Sequence, residues 1–314
     1  MRIAKICMIG GSGFVGSAIA DHLAEAGKRI LVPTRSRLTA RRLTVLPTVE
    51  IAVADVHDPA ALGRAFEGMD AVVNLCGILH ESSRQTFEAC HVELPRKVAE
   101  AARARGVRHL LHMSALGASP EGPSEYLRTK GRGEAALRQA AGTLPFTIFR
   151  PSAIFGAGDR FLNLFASLAR LPLLPLAAAG ARFQPVWVED VARCFVAALG
   201  DPRTFGQAYE LAGPRVYTLA ELVRLAADAA GRKARIVALP GAAATLQAFT
   251  FEHLPGKLMT RDNLRSMSVD NVTASDFPAI FGFRPSPPEA VVPAYLAPTG
   301  ARARYSGYRH YAGR

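Results

Sequence analysis

Two hydrophobic periods trade places along the first half of the chain. Residues 3–9 form a short, nearly continuous apolar run that predicts a buried strand. Phe14, Val15, Ala18, Ile19, Leu23 and Ala26 then recur on one broad face at helical spacing. The exchange repeats, with strands predicted at 29–34, 51–54, 71–75, 107–113 and 146–150. Helices are predicted from Asp58, over 84–105 and over 124–141. Asp58 before Pro59 reads as an N-cap with proline at the first helical position. Strands alternating with helices predict an α/β fold, a doubly wound parallel sheet with helices on both faces.

Beyond Pro151 the regularity drops. Val186-Trp187-Val188 followed by Glu189-Asp190 reads as strand into helix, with Asp190 a capping or first-turn charge. A short strand is predicted at 209–212, and Thr218 with Glu221 makes a capping box. Helical pieces from Gly241 are broken by Pro255, and the chain ends Pro-rich at Pro285, Pro287 and Pro288. The expected division is a binding domain over 1–200 with an insertion around 156–182, a smaller α/β lobe over 201–300, and a basic tail over 301–314.

The first strand runs into Gly10-Gly11-Ser12-Gly13-Phe14-Val15-Gly16. Strand, glycine turn and helix in that order form a phosphate-binding unit. Gly10 permits the turn, Gly13 lets backbone approach a pyrophosphate, and Gly16 lets the helix pack closely on the strand. The anion would sit on the helix N-terminus at Phe14, Val15 and Gly16, where N–H groups and the helix dipole favour negative charge. A glycine turn without a ligand is the alternative, and the flanking strand and helix weigh against it.

The end of the second strand selects between dinucleotides. An acid there binds the ribose 2′-OH of NAD, and a base suits the 2′-phosphate of NADP. Thr34, Arg35, Ser36 and Arg37 stand there, so two guanidiniums and two hydroxyls favour NADP(H) over NAD(H). Asp55 and Val56 follow the third strand, where a side chain could reach the adenine. Asn74 and Gly77 end the fourth strand, where backbone would run beside the cofactor; turn chemistry is the equal alternative for Asn74.

Tyr126 and Lys130 are four residues apart and share one helical face. Ser114 ends the preceding strand, at the edge where such sheets bind ligands. A neighbouring ammonium and helix N-terminus would pull the Tyr126 phenol down from its reference value near 10 into a usable range. Lys130 could also bond the nicotinamide ribose, and Ser114 the substrate oxygen. His109, His112 and the Cys90-His91 pair lack carboxylate partners and read as structural.

The chain has 314 residues, 49% of them hydrophobic, which is ample for a large core. No apolar run reaches the length of a membrane span; the longest, 162–179, is broken by Arg170, Pro172 and Pro175. The immediate first strand leaves no room for a signal or transit peptide. Cys7, Cys76, Cys90 and Cys194 have no metal or disulfide spacing and suit reduced thiols in a cytoplasmic protein. The net charge of +12 suits nucleotide phosphates or an anionic membrane surface. No nucleic-acid module accompanies it, which excludes that partner class. Part of the excess is the tail with Arg302, Arg304, Arg309 and Arg314, read as a solubilising end.

These motifs together resemble the extended, atypical short-chain dehydrogenase/reductases. The resemblance rests on the glycine turn, the Ser114, Tyr126 and Lys130 set, Arg150-Pro151-Ser152 with Phe155-Gly156, and Val188-Glu189-Asp190-Val191. More narrowly, the chain is similar to the NAD(P)-binding accessory subunits of respiratory complex I and their bacterial relatives. Tyr126-Leu127-Arg128-Thr129-Lys130-Gly131, Asp159-Arg160-Phe161-Leu162-Asn163, Gln184-Pro185-Val186-Trp187-Val188 and Thr260-Arg261-Asp262-Asn263-Leu264 carry that likeness. The wider family implies a Rossmann fold, catalytic Tyr126 and Lys130, a substrate-orienting Ser114, and Pro151 and Ser152 beside the nicotinamide. The gap from Ser114 to Tyr126 is shorter than in typical extended enzymes, which trims the substrate loop and leaves the substrate unnamed.

Two functions follow. One is an NADP(H)-dependent oxidoreductase or epimerase-like enzyme. The other is a dinucleotide-loaded, non-catalytic subunit or assembly factor of a respiratory complex, peripheral to the inner membrane. For the second, Leu246, Phe249, Phe251, Leu254, Leu258 and Met259 beside Lys257, Arg261 and Arg265 would supply a face toward an anionic membrane or membrane-bound partner. Burial of those residues in the small lobe is the alternative.

Overall fold

The computed structural model describes residues 1–83, 85–254 and 258–297. Strands β1 (Lys5–Ile9), β2 (Arg29–Thr34), β3 (Val49–Val53), β4 (Ala71–Asn74), β5 (His109–Met113) and β6 (Phe146–Pro151) join an edge strand, Ala208–Leu211, in one seven-stranded sheet. All its pairings are parallel. From the Ala208–Leu211 edge the order is β6, β5, β4, β1, β2, β3. The order reverses between β1 and β4, whose carboxyl ends flank the crevice where such sheets take ligands.

Helices α1 (Phe14–Glu25), α2 (Pro59–Ala65), α3 (Leu94–Ala104) and α4 (Glu125–Ala141) connect these strands. On one face of the sheet Cys7, Ile9, Val72, Leu110 and Ile148 meet Leu62, Phe66, Leu94, Val98 and Leu137, all buried. Each such large side chain contributes about 1.5–3 kcal/mol by leaving water. Helix starts follow local chemistry. The Asp58 carboxylate accepts from the Ala60 and Ala61 N–H groups at 3.0 and 3.2 Å, and Ser124 Oγ accepts from Leu127 N at 3.2 Å to cap α4.

The predicted single helix over 84–105 is interrupted. A π-helical turn, Ala89–Glu93, precedes α3. Pro95 has no N–H for the carbonyl four residues back, that of His91, and its ring crowds that carbonyl. Gly133 of α4 packs against the same carbonyl: a Cβ there would stand 1.8 Å from His91 O.

The chain divides into two compact units, and the boundaries differ from the expected ones. The first holds Met1–Pro151, Glu189–Leu211 and Ser275–Phe283; the second holds Ser152–Val188, Ala212–Ala274 and the chain from Arg284. Residues 201–211 therefore belong with the sheet, because Ala208–Leu211 pairs with β6. Ser275–Phe283 returns to the first unit, where Phe281 lies 5.9 Å from the Phe149 ring and Arg193 sits 3.7 Å over Phe283. Asp190 is fully buried in the first turn of helix Val188–Ala198 and pairs with Arg193 at 3.4 Å.

Residues 152–188 form part of the second unit's own core, where Phe155, Leu162, Leu174 and Phe183 pack with Tyr217, Leu222 and Val223. Thr218 and Glu221 form the expected capping box at the start of Leu219–Ala229. Helix Gly241–His253 buries Ala244 and Ala248 and leaves Leu246 and Phe249 exposed. No helix among the described residues is long and apolar enough to cross a membrane. Pro255, Lys257 and the 301–314 tail lie outside the described residues.

Gly133→Ala should lower stability by about 3 kcal/mol, since its methyl would collide with backbone rather than a movable side chain. Gly180, with open space around its Cβ position, is the control. Thermal unfolding should show a midpoint several degrees lower for Gly133→Ala and near wild type for Gly180→Ala.

Candidate functional site

The glycine turn sits at the carboxyl end of β1. Gly10 has a φ of +77°, the left-handed region open to glycine, and a Cβ there would lie 3.1 Å from Cys76 N. Gly13 N donates to Gly10 O at 3.0 Å and closes the turn. Gly13 is the N-cap of α1 and offers no side chain, so no side chain caps the helix start at Phe14, Val15 and Gly16. A Cβ on Gly16 would fall 2.5 Å from Gly11 O, so the helix start is pressed onto the turn. An uncapped helix end behind a glycine cradle fits a pyrophosphate.

Arg35 and Arg37 are exposed just beyond β2. The charge of Arg35 acts on the thiols of Cys76 and Cys90, placing it on the side of the glycine turn. The two hydroxyls beside them are used locally. Thr34 Oγ1 donates to Ser36 O at 3.2 Å and also meets Thr39 Oγ1, and Ser36 Oγ accepts from Leu38 N at 3.3 Å. The two guanidiniums take no part in these bonds, and Ser36 keeps its O–H to donate. Asp55 is exposed and accepts from His57 N at 3.0 Å, while Val56 packs partly buried against the core. Asn74 is fully buried; its Oδ1 accepts from Cys76 N at 3.2 Å and its Nδ2 has no partner.

Around α4 the structure brings together the residues singled out for chemistry. Ser114 is buried, its N–H donates to Phe149 O at 2.7 Å, and its Oγ has no partner. Lys130 is 3% exposed and donates from Nζ to Met113 O at 3.2 Å. A Cβ on Gly77 would stand 3.1 Å from that Nζ, so the ammonium lies close against the Gly77 backbone. Burial pulls Lys130 down to about 8, against the opposing influence of Cys76, Glu134 and Cys90. The Glu134 carboxylate takes a two-pronged bond from Arg150 of β6, at 2.8 and 2.7 Å, which ties α4 to the sheet.

The Tyr126 phenol departs from expectation. Burial pushes it up to about 12 rather than down. Its ring lies edge-on to His91 at 5.5 Å and to Phe87 at 6.1 Å, and loss of water around the hydroxyl is the cause of the shift. Pro151 ends β6 and accepts from Leu116 N at 2.9 Å. Ser152 opens the second unit and donates to Asn271 Oδ1 at 2.6 Å.

His91, expected to be structural, lies inside this cluster. Its Nε2 accepts from Ile78 N at 3.1 Å, and its Nδ1 meets Thr129 Oγ1 at 3.0 Å. Burial, with Lys130 and His112 nearby, pushes it down to about 2, so it is neutral. His112, paired in register with Asn74, is likewise pushed down to about 3 by burial, and its Nδ1 has no partner. Pro95, four residues after His91, is the sequence signal that marks this turn as irregular. His109 is structural as expected: it meets Thr147 Oγ1 at 3.0 Å and accepts from Gly200 N at 3.2 Å. Among the described residues no cluster could hold a metal.

A doubly wound sheet with a glycine turn at its switch point and a Tyr-Lys helix beside it defines a dinucleotide-binding protein of the extended short-chain dehydrogenase type. Residues 6–212 match the NAD dependent epimerase/dehydratase family, and the chain belongs to it. It is 30% identical to mouse NADH dehydrogenase (ubiquinone) 1 alpha subcomplex subunit 9, mitochondrial, over 90% of this chain and 77% of that protein. It is 34% identical to a ceramide reductase of Caulobacter vibrioides over 75% of this chain and 73% of that one. Its fold matches an NADPH-dependent quinone oxidoreductase of Escherichia coli, complexed with NADPH, at a TM-score of 0.73 and 19% identity, covering 91% and 98% of the two chains.

The depressed Lys130 value has a consequence for stability. Between about 8 and the ordinary lysine value of 10.5, the unfolded chain keeps a proton that folded Lys130 has lost. Stability contributed at this site therefore rises with pH across that window, by on the order of 3 kcal/mol. Below pH 8 the full penalty of burying the ammonium is present. Denaturant unfolding of wild type and Lys130→Met from pH 7 to about 10.5 should show their difference narrowing as pH rises. A constant difference would place the titration elsewhere.

Proposed function

We propose that this chain is an NADP(H)-dependent oxidoreductase in which Tyr126, Lys130 and Ser114 handle the proton and the substrate oxygen. The observation that carries the reading is the buried Lys130 ammonium facing Gly77, with the Ser114 hydroxyl and Asn74 amide nitrogen left without partners in the same first unit. Buried polar groups are normally satisfied, so orphans beside a glycine cradle suit a bound polar ligand.

The residues present fit the dinucleotide. The turn from Gly10 to Gly16 would hold the pyrophosphate, and Arg35 and Arg37 the 2′-phosphate. The bound dinucleotide supplies the hydride. Lys130 is mostly an ammonium at neutral pH, a donor for a ribose hydroxyl. Ser114 donates to the substrate oxygen and orients it. A phenol held at about 12 stays protonated across neutral pH. It therefore suits giving a proton to a developing alkoxide, which favours the reductive direction over abstraction.

Isothermal titration should show tighter binding of NADPH than of NADH, and Arg35→Ala with Arg37→Ala should erase the difference. Equal affinities in wild type would remove the NADP(H) preference. In wild type that oxidises bound NADPH with a carbonyl or quinone acceptor, Tyr126→Phe should slow the chemical step by about two to four orders of magnitude. A rate within a few-fold of wild type would refute the proton role.

A second reading, a dinucleotide-loaded subunit docked at a membrane complex, is favoured by one observation. Leu246, Phe249, Leu254 and Leu258 are all close to half exposed or more, and Arg261 stacks over Phe249 at 5.4 Å. Exposed apolar side chains beside a guanidinium suit contact with an anionic surface. It predicts salt-sensitive sedimentation with anionic vesicles, weakened by Leu246→Ser with Phe249→Ser. A protein that stays in the supernatant at low salt would exclude attachment to lipid.

A further inference from the structure

Residues from three elements converge on the His91 imidazole. Ile78 N–H, in the loop after β4, donates to Nε2 at 3.1 Å. That nitrogen therefore carries no proton, and the neutral ring must hold its proton on Nδ1. Nδ1–H donates to Thr129 Oγ1 at 3.0 Å, and Thr129 Oγ1 in turn donates to Glu125 O at 2.8 Å, within α4. Thr129 lies between Tyr126 and Lys130 on that helix, and its residue is fully buried. The same ring stands edge-on to Tyr126 at 5.5 Å. On its other side the position of a Gly77 Cβ lies 3.6 Å from Nε2 and 3.1 Å from Lys130 Nζ. His91 lies within the π-helical turn that precedes Pro95, and its own carbonyl abuts Gly133.

We propose that His91 is a positioning residue: fixed as the Nδ1–H tautomer, it ties the loop after β4 to the turn of α4 that carries Tyr126 and Lys130, and so sets where both side chains stand. The inference rests on the dinucleotide site described above, and it assigns His91 no contact with substrate or cofactor. Its alternative is a space-filling ring between Phe87 and Tyr126, which any aromatic side chain would satisfy. A protonated His91 would lose the Ile78 bond. The ionisable groups influencing Lys130 or His91 are Cys76 after β4, Cys90 in the π-helical turn, His112 of β5 and Glu134 of α4.

The test uses the full-length chain without ligand first. Nitrogen-15 spectra of the histidine rings should show His91 as the Nδ1–H form, unchanged across about pH 5–9. The Lys130 Cε shift should titrate near 8 in wild type. His91→Phe keeps a ring and loses both bonds. Thr129→Val keeps the imidazole and its Ile78 bond, and removes the acceptor of Nδ1–H together with the Thr129 bond to Glu125 O. Both should move the Lys130 midpoint upward by about half a unit or more, as the loosened loop admits water. His91→Asn, which can accept from Ile78 and donate to Thr129, should restore it. With NADPH added, dissociation constants should rise about tenfold for His91→Phe and Thr129→Val and stay within about threefold for His91→Asn.

An Nε2–H tautomer would overturn the proposal. So would a His91→Phe variant with the wild-type Lys130 midpoint, because the ring would then only fill space. Should His91→Phe fail to fold, Thr129→Val and His91→Asn decide the matter by the same readings. A wild type that binds no dinucleotide would sink the functional reading, while the ligand-free tautomer and titration would still judge His91.

Discussion

Helix α4 is held by contacts that leave no room for a methyl group, and the chemistry of the first unit depends on that. A Cβ on Gly131 would stand 2.5 Å from the Ser119 carbonyl carbon, and one on Gly133 would stand 1.8 Å from His91 O. At the next position, the buried Glu134 is clamped by Arg150 from β6. Interiors are close-packed and transmit displacement, so a helix seated this way has little freedom to shift. Tyr126 and Lys130 lie on the turn just before these contacts. Their helix is seated by backbone meeting backbone on two sides and by a half-buried ion pair on a third.

That seating explains how a nearly sealed ammonium is tolerated. Desolvation disfavours the charged form, and Lys130 shows it by its fall to about 8. The offset comes from the Met113 carbonyl at 3.2 Å and from Cys76, Glu134 and Cys90 nearby. The histidines around it, His91 and His112, stay neutral and so add no second buried cation. A cluster with one cation, two neutral imidazoles and several orphan polar atoms is costly for folding alone. Such local conflict between stability and packing is expected at functional sites.

How much of this was legible in the sequence depended on the range of the interaction. Helix starts at Asp58, Ser124 and Thr218 were readable because a cap is local chemistry within three residues. The glycine turn was readable for the same reason. The division into units was not: Ala208–Leu211 joins the sheet and Ser275–Phe283 returns to it through pairings and ring contacts distant in sequence. The π-helical turn was hidden inside a continuous helical pattern, with Pro95 its one mark. Ser114, Tyr126 and Lys130 could be picked out by type and spacing. The upward shift of Tyr126 could not, because it comes from Phe87 and His91 packing on the ring rather than from its chain neighbour.

That shift bears on what the set can do. A phenolate is the form needed to take a proton from an alcohol, and a phenol at about 12 supplies almost none of it near neutral pH. The protonated phenol is abundant, and it is a proton donor. Lys130, meanwhile, keeps most of its charge until about pH 8. Phenol and ammonium are thus both protonated in the same window, the state that the proposed reading asks of a proton donor and a ribose-holding cation. Above that window Lys130 loses its charge while Tyr126 is still protonated, so the electrostatic support for a developing phenolate fades first. On the proposed reading, reduction below pH 8 is the direction in which both groups are already in the required state, and oxidation would ask the half-buried phenol to ionise against its surroundings.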